Sequence, residues 1–369
     1  MSILIFVIVL IVLIVSHEFG HFITAKLSGI GVEEFGLGLP PRIKGYMWRG
    51  TLYSINWLPF GGFVRIVGED GDASSLPQYE GKRFTDKPRS VQALVVVAGI
   101  VCNILLAYVL IYFGLVAGLP VSVDSFAKYE SYMSDKHVVV TDVIQGGSAE
   151  QAGLPAGATL ISIANAENAQ LITSPAQVRE IIVASKGEPI FVTYRTMGQG
   201  LVGLPLKIVP KAVDGASPAI GIAMDSVATL KLPLLTAILP SIRTSTFMLA
   251  NTAKGMWHLL SGLVRGDGSV ASSVTGPVGI AGIVGDAADA GLGSLLLVAA
   301  LLSFSLAIIN LVPFPALDGG RLLFIIIEGI KGSPIKASIT AVVNTAGFAI
   351  LILLMLAVTY KDIVNLVVH

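Results

Sequence analysis

The chain has 369 residues, 54% of them hydrophobic and 13% charged, with 24 basic residues balanced by 24 acidic ones. A soluble chain of this size would carry about a quarter charged residues, so the composition excludes an ordinary soluble domain and predicts an integral membrane protein. Zero net charge leaves no basic surface for nucleic acid, and the single Cys102, inside an apolar run, excludes an internal disulfide and a thiolate zinc site.

No charged residue interrupts Ile3 to Val15, and the chain stays mainly apolar to Leu27, enough for the roughly 20 residues that cross a bilayer. Inside this run lies Ser16-His17-Glu18-Phe19-Gly20-His21. Ionisable groups in hydrocarbon are costly and mark function by default. His17 and His21 are four residues apart and share one helix face. Glu18 sits beside the first histidine, where its carboxylate reaches a water at the metal without being a ligand. This is the H-E-x-x-H arrangement of zinc hydrolases. Composition alone, with five histidines in the chain, would produce it about 0.002 times. The plainer alternative, two histidines hydrogen-bonded between packed helices, buries all three groups with no cation to compensate them. The run has no basic n-region and no small-residue cleavage site, so it is expected to be a retained helix and not a removed signal peptide.

From Gly29 to Arg89 the texture changes. Phe35–Gly38, Gly45–Trp48, Thr51–Trp57 and Phe63–Val67 are short β-prone pieces, with Pro40-Pro41, Arg49-Gly50 and Gly61-Gly62 expected as turns. Two readings stay open: a small β-hairpin sheet on the membrane surface, or a sheet edge dipping towards the histidines, where an extended substrate could add as a strand. Arg42, Lys44, Arg49, Arg65, Lys82, Arg83, Lys87 and Arg89 place this segment in the cytoplasm by the positive-inside rule.

A second span, about Val91 to Leu119, returns outward, with Asn103 as its one strongly polar side chain. Residues from about Pro120 to Lys211 are soluble in character. A strand at 138–144, the signature Ser148-Ala149-Glu150-Gln151-Ala152-Gly153-Leu154, a strand at 157–163, a helix at 175–185 and strands at 189–195 and 204–209 together resemble a PDZ domain. Gly157-Ala158 stands where such domains usually have Gly-Asp, and Ala164–Glu167 replaces the customary Asn-Gly turn. Asp214 to Ser217 reads as a linker. Leu230 to Leu263 is apolar enough for a span but contains Pro233, Pro240, Arg243, Asn251, Lys254 and His258. His137 and His258 are expected as surface residues. Thr275–Gly282 is a small-residue loop or close-packing segment, a third span begins near Leu292, and a last one runs from about Ala341 to Val358.

A catalytic zinc usually takes three protein ligands and keeps one open position. Asp318 is the only acidic residue that closes an apolar span; Pro313 and Pro315 break the helix before it, and Gly319-Gly320 let the backbone turn close to a metal. Zn²⁺ with the carboxylates of Asp318 and Glu18 sums to zero charge. His17, His21 and Asp318 all lie towards the C-terminal ends of their helices, so they meet at one depth only if an odd number of crossings separates them. The 91–119 helix is that crossing. The 230–263 segment is therefore expected to be extracytoplasmic, amphipathic and on the membrane surface. This gives four spans, with both termini outside and Lys331 and Lys336 in the cytoplasm.

His17-Glu18-Phe19-Gly20-His21, the segment Asn310-x-x-Pro313-x-Pro315-x-Leu317-Asp318-Gly319-Gly320 and the PDZ-like insert between the second and third spans resemble the site-2 protease family of intramembrane zinc metalloproteases, most of all the bacterial branch that cleaves anti-sigma factors. The resemblance implies His17, His21 and Asp318 as zinc ligands, Glu18 as catalytic acid/base and Asn310 as a polar active-site residue. It implies that Phe35–Val67 is membrane-associated and helps present substrate, and that substrates are single-pass membrane proteins already shortened outside the membrane. The second span reads Gly99-Ile100-Val101-Cys102-Asn103, where many relatives have Gly-Pro ahead of the Asn.

The expected protein is thus an α-helical membrane protein with four transmembrane helices, a membrane-associated β-hairpin element and an inserted extracytoplasmic PDZ-like α+β domain. Its expected parts are 1–119 with the first two spans, 120–213 as the PDZ-like domain, 214–291 as linker and membrane-surface segment, and 292–369 with the last two spans. The expected setting is a bacterial inner membrane, with lipid around it and the site in the cytoplasmic half. The rival readings are a non-proteolytic metal-binding or transport protein, which has no need of Glu18, and a PDZ-based scaffold.

Overall fold

The computed structural model describes residues 2–69, 81–165, 169–196, 199–201, 205–211, 218–266 and 274–368. The expected linker Asp214–Ser217 and residues Ala166 and Glu167 of the expected turn lie outside them. The helices are α1 (Ser2–Leu27), α2 (Arg89–Ala117), α3 (Ser148–Gln151), α4 (Pro175–Ala184), α5 (Leu234–Val264), α6 (Pro277–Asp289), α7 (Leu292–Leu311), α8 (Asp318–Lys331) and α9 (Ala337–Val368). The strands are β1 (Val32–Trp48), β2 (Thr51–Ile66), β3 (Leu119–Ser122), β4 (Met133–Val143), β5 (Thr159–Ala164), β6 (Ala169–Leu171), β7 (Ile190–Thr196), β8 (Gln199–Leu201), β9 (Leu206–Ile208) and β10 (Ile222–Leu230).

Among the described residues four helices are long and apolar enough to cross a membrane: α1, α2, α7 and the Ala337–Val364 part of α9. The protein is a multi-pass membrane protein of mainly helical structure. α5 is a single helix with Pro240 inside it and is not one of the four.

The chain divides into two compact units. The first takes in Met1–Tyr112, Leu239–Gly285 and Leu296–His369. Its centre is α2, of which 39% of the most apolar window is buried, against 6% for α9. Lipid is as apolar as the side chains, so close packing of small residues holds such helices together. Gly20 of α1 faces Ala98 and Gly99 of α2, and a methyl built on Gly20 would run into the Ala98 carbonyl. Below this crossing Ala25, Ile30, Val32, Ile66, Phe84, Val95, Val96 and Ile325 form one buried cluster. It ties the end of α1, both ends of the hairpin, α2 and α8 together.

The hairpin departs from the four short pieces expected. β1 and β2 are continuous, joined by Arg49-Gly50 with φ of 47° and 75°. Arg49-Gly50 is a turn as expected, whereas Pro40-Pro41 and Gly61-Gly62 lie inside the strands. Register shifts around Leu37 to Lys44 absorb the prolines as bulges. Residues 34–37 of β1 pair on one side with 52–55 and on the other with 62–65 of β2. The first half of β1 is therefore an inner strand, and among the described residues the 62–66 stretch of β2 pairs on one side only. From Leu39 to Trp48 every residue of β1 is exposed.

The second unit takes in Phe113–Ile238 and Asp286–Leu295. Its sheet has the order β3-β10-β4-β5-β7-β8, with β6 on β5 and β9 on β7. Val138, Val140, Leu160, Ile163, Ile190 and Val192 are buried against Val178 and Ile182 of α4. Alternate burial along β7 gives the period of two that a half-buried strand requires. Ser174 caps α4 by accepting from the Gln177 N–H at 3.3 Å, with Pro175 at the first helical position. β10, C-terminal of the 120–213 segment, is an inner strand of this sheet.

Candidate metal centre

Helical spacing stacks His17 and His21 on one face of α1, and two features of α2 let them converge. Gly99 faces both rings; a methyl there would overlap His21 Nε2 and crowd His17 Cε1. Only a glycine leaves both imidazoles their places. The Val95 carbonyl accepts a hydrogen bond from His21 Nδ1 at 2.9 Å, which leaves the Nε2 lone pair free for the side facing His17 and Asp318.

Asp318 arrives from the other end of the sequence. α7 stops at Leu311, ahead of Pro313 and Pro315, and a turn with Ala316 at φ +71° leads into α8, whose first residue is Asp318. A methyl on Gly319 or Gly320 would strike the carbonyls of residues 311–314, so the two glycines are what allow α8 to fold back on that turn. Asp318 is thus the opening residue of a new helix, where a carboxylate also complements the helix dipole. α8 is anchored further along. Arg321 stacks 4.8 Å from the Phe84 ring centre and pairs with Glu69 at 3.0 Å, while Glu328 pairs with Arg89 of α2 at 2.7 Å.

Asp318 Oδ2 lies 2.9 Å from His17 Nε2 and 3.3 Å from His21 Nε2, and the two Nε2 atoms are 3.1 Å apart. Donors on a tetrahedral zinc, at about 2.0–2.1 Å from the metal, stand about 3.3 Å apart. The triangle has that size. Among the described residues, Oδ2 of Asp318 is moreover buried without a hydrogen-bond donor. Three acceptors pointed at one another fit a cation, and two nitrogens with a carboxylate oxygen are a donor set zinc accepts.

Glu18 lies beside this triangle and lines a cavity of about 270 Å³ with Ile14, His17, Leu306, Asn310, Ala316, Leu317 and Asp318. Taking a water's share of liquid as about 30 Å³, it holds several waters or a short stretch of peptide. β2 passes on the other side of Glu18: a methyl built on Gly62 would sit 3.6 Å from Glu18 Cγ. A second cavity of about 320 Å³, whose only polar lining residue is Ser305, shares Leu306 with the first and is walled by α1, α5, α6 and α7.

The structure therefore brings His17, Glu18, His21, Asn310 and Asp318 into one place. It leaves His137 and His258 out of it. Sequence reasoning did not foresee the contact of Gly99 with the histidines or that of Asn103 with His17. The signal was present as the four-residue spacing of Val95, Gly99 and Asn103, which matches that of His17 and His21.

A hydrolytic His-His-Asp centre with an adjacent glutamate, set among helices apolar enough to cross a bilayer, is the site of a membrane-embedded metalloprotease. The profile of Peptidase family M50 matches residues 5–354, and the chain belongs to that family, the site-2 proteases. A Nostoc sp. protein provisionally named a zinc metalloprotease is 32% identical over 99% of this chain and 97% of its own length. Zinc metalloprotease RasP of Geobacillus kaustophilus is 28% identical over 98% and 97%. Membrane metalloprotease ARASP, chloroplastic, of Arabidopsis thaliana is 30% identical over 97% and 78%.

Proposed function

We propose that this metalloprotease hydrolyses a peptide bond within or near the transmembrane segment of single-pass membrane proteins, with zinc held by His17, His21 and Asp318. The observation that carries the reading is the convergence of those three donors on one point beside Glu18 and an open cavity. Zinc, when bound, supplies a Lewis acid that polarises the scissile carbonyl and acidifies water. Glu18 takes the proton of the attacking water and returns it to the leaving amine. Asn310, which lines the same cavity, orients the substrate backbone or donates to the developing oxyanion.

A substrate helix cannot be cut while its carbonyls are bonded within it, so it must first unwind. The one-sided 62–66 stretch of β2, next to Glu18, supports the view that an extended substrate adds there as a strand. The apolar cavity joined through Leu306 suits the side chains of a transmembrane substrate. Substrates of the anti-sigma-factor kind, shortened by a first extracytoplasmic cleavage, fit this scheme. The 120–213 segment, read as an extracytoplasmic PDZ-like domain, would act as a filter against untrimmed ectodomains. The membrane is a bacterial inner membrane, with both termini outside and the site in the cytoplasmic half.

Replacing Glu18 by Gln tests the proposal, with zinc content and cleavage of a single-pass test substrate measured together. Retained zinc with cleavage lowered by at least about 10²-fold is expected. Full cleavage by Glu18→Gln would overturn it, and a transporter or structural metal site would then be the better reading.

A further inference from the structure

Asn103 sits in the middle of α2 and is fully buried, at 0% exposure. Its Nδ2 lies 3.5 Å from His17 Nδ1, and among the described residues its Oδ1 has no hydrogen-bond partner. Its backbone carbonyl accepts from Ser303 Oγ of α7 at 2.8 Å, so α2 and α7 meet at this level.

The tautomer of His17 decides what the amide is for. If Nε2 offers its lone pair beside Asp318 and His21, the neutral ring carries its hydrogen on Nδ1. An amide NH₂ set against that N–H is donor facing donor, while the amide oxygen lies buried with nothing to accept. Amide oxygen and nitrogen are nearly equal in shape, and a half-turn of the amide exchanges them. That one rotation places an acceptor against the Nδ1–H of His17 and gives Oδ1 its donor.

Resting on the reading of His17, His21 and Asp318 as zinc ligands, we propose that Asn103 is a positioning residue whose Oδ1 accepts the Nδ1–H of His17 and so fixes the ligating tautomer. The arrangement has a counterpart on the second histidine, whose Nδ1 is held by the Val95 carbonyl. Residues 95, 99 and 103 form one stripe of α2 at the same four-residue spacing as the two histidines, running antiparallel to them. Val95 orients His21, Gly99 leaves room for both rings, and Asn103 orients His17. α2 is thus the outer shell of the metal centre along that stripe, and outer-shell acceptors of this kind set ring orientation and ligand basicity.

The test compares the full-length protein with Asn103→Leu, which keeps the size and removes the acceptor, and Asn103→Asp, which keeps the acceptor. Zinc affinity is read by chelator competition, the His17 tautomer by ¹⁵N chemical shift, and the thermal unfolding of the metal-free protein as a control. Asn103→Leu is expected to weaken zinc about 10- to 100-fold and to leave His17 as a mixture of tautomers. Asn103→Asp is expected to retain wild-type affinity or better, with metal-free unfolding similar in all three. Wild-type affinity in Asn103→Leu overturns the proposal, as does equal loss in both variants with a parallel fall in metal-free stability, the pattern of a packing residue. A wild-type protein that takes up no zinc overturns the ligand reading itself, a distinguishable failure.

Discussion

Gly99 sets how close α2 comes to the two histidines, and it does so by lacking a side chain. A methyl there meets both imidazole rings, so Gly99→Ala has to displace one of them or separate α1 from α2. Overpacking of this kind costs about 1–3 kcal/mol. The variant is expected to bind zinc at least about tenfold more weakly than wild type, measured by chelator competition, while still inserting in the membrane. An undiminished affinity would show that the helices can part without moving the ligands. At this scale the sequence was highly informative about His17, His21, Glu18 and Asp318, because metal chemistry demands those residue types at those spacings. Gly99 was hidden, since any glycine in an apolar helix reads equally well as generic close packing.

α6 shows how one element is finished by another. Its N-cap position is Gly276, which has no side chain to satisfy the free N–H groups of the first turn. Asp362 of α9 does so instead, accepting from Gly276 N at 3.2 Å and Gly279 N at 2.9 Å. A methyl on Gly276 would meet the Asp362 carboxylate, so the glycine and the distant aspartate require each other. Thr275–Gly282 is accordingly a close-packed helix start, one of the two alternatives its small residues allowed. Asp362→Ala should loosen the first turn of α6 by about 1–2 kcal/mol, seen as faster amide exchange at 278–282; unchanged exchange there would refute the cap. The hairpin was less legible. Short β-prone pieces between Gly and Pro pairs look like separate strands, because local turn signals do not reveal that a neighbouring strand will carry the ladder through them. Only the double pairing of residues 34–37, a non-local fact, makes β1 and β2 continuous.

At the scale of the molecule, the count of spans and the closure of the site are a single constraint. Composition was enough to find the four apolar helices, and for the C-terminal half of α1 to meet the start of α8, which follows the C-terminal end of α7, the chain between them must cross the membrane an even number of times, as α2 and α7 do. A cysteine placed at Gly266, with Cys102 replaced by Ser, should therefore label from outside; labelling from the cytoplasm would break the proposed topology. Removal of zinc offers a second check. A ligand present at 100 to 1,000 times its dissociation constant stabilises the folded state by about 2.7–4.1 kcal/mol, so 1,10-phenanthroline should lower the thermal midpoint and abolish cleavage together, both restored by added zinc. A midpoint indifferent to the chelator would mean that the three ligands do not hold the metal. What the sequence withheld is the packing between helices, since an apolar span looks the same whether its neighbour is lipid or α2.

The distance along the chain between His21 and Asp318 has a consequence in time. Nearly 300 residues separate them, and at about 5–20 residues per second a ribosome needs roughly 15–60 s to cover that stretch. Throughout that interval the growing chain carries the histidines and the glutamate without the carboxylate that the proposed centre needs. A centre divided in this way can be completed only after Asp318 has been made, so on the proposed reading catalysis cannot precede that point of synthesis.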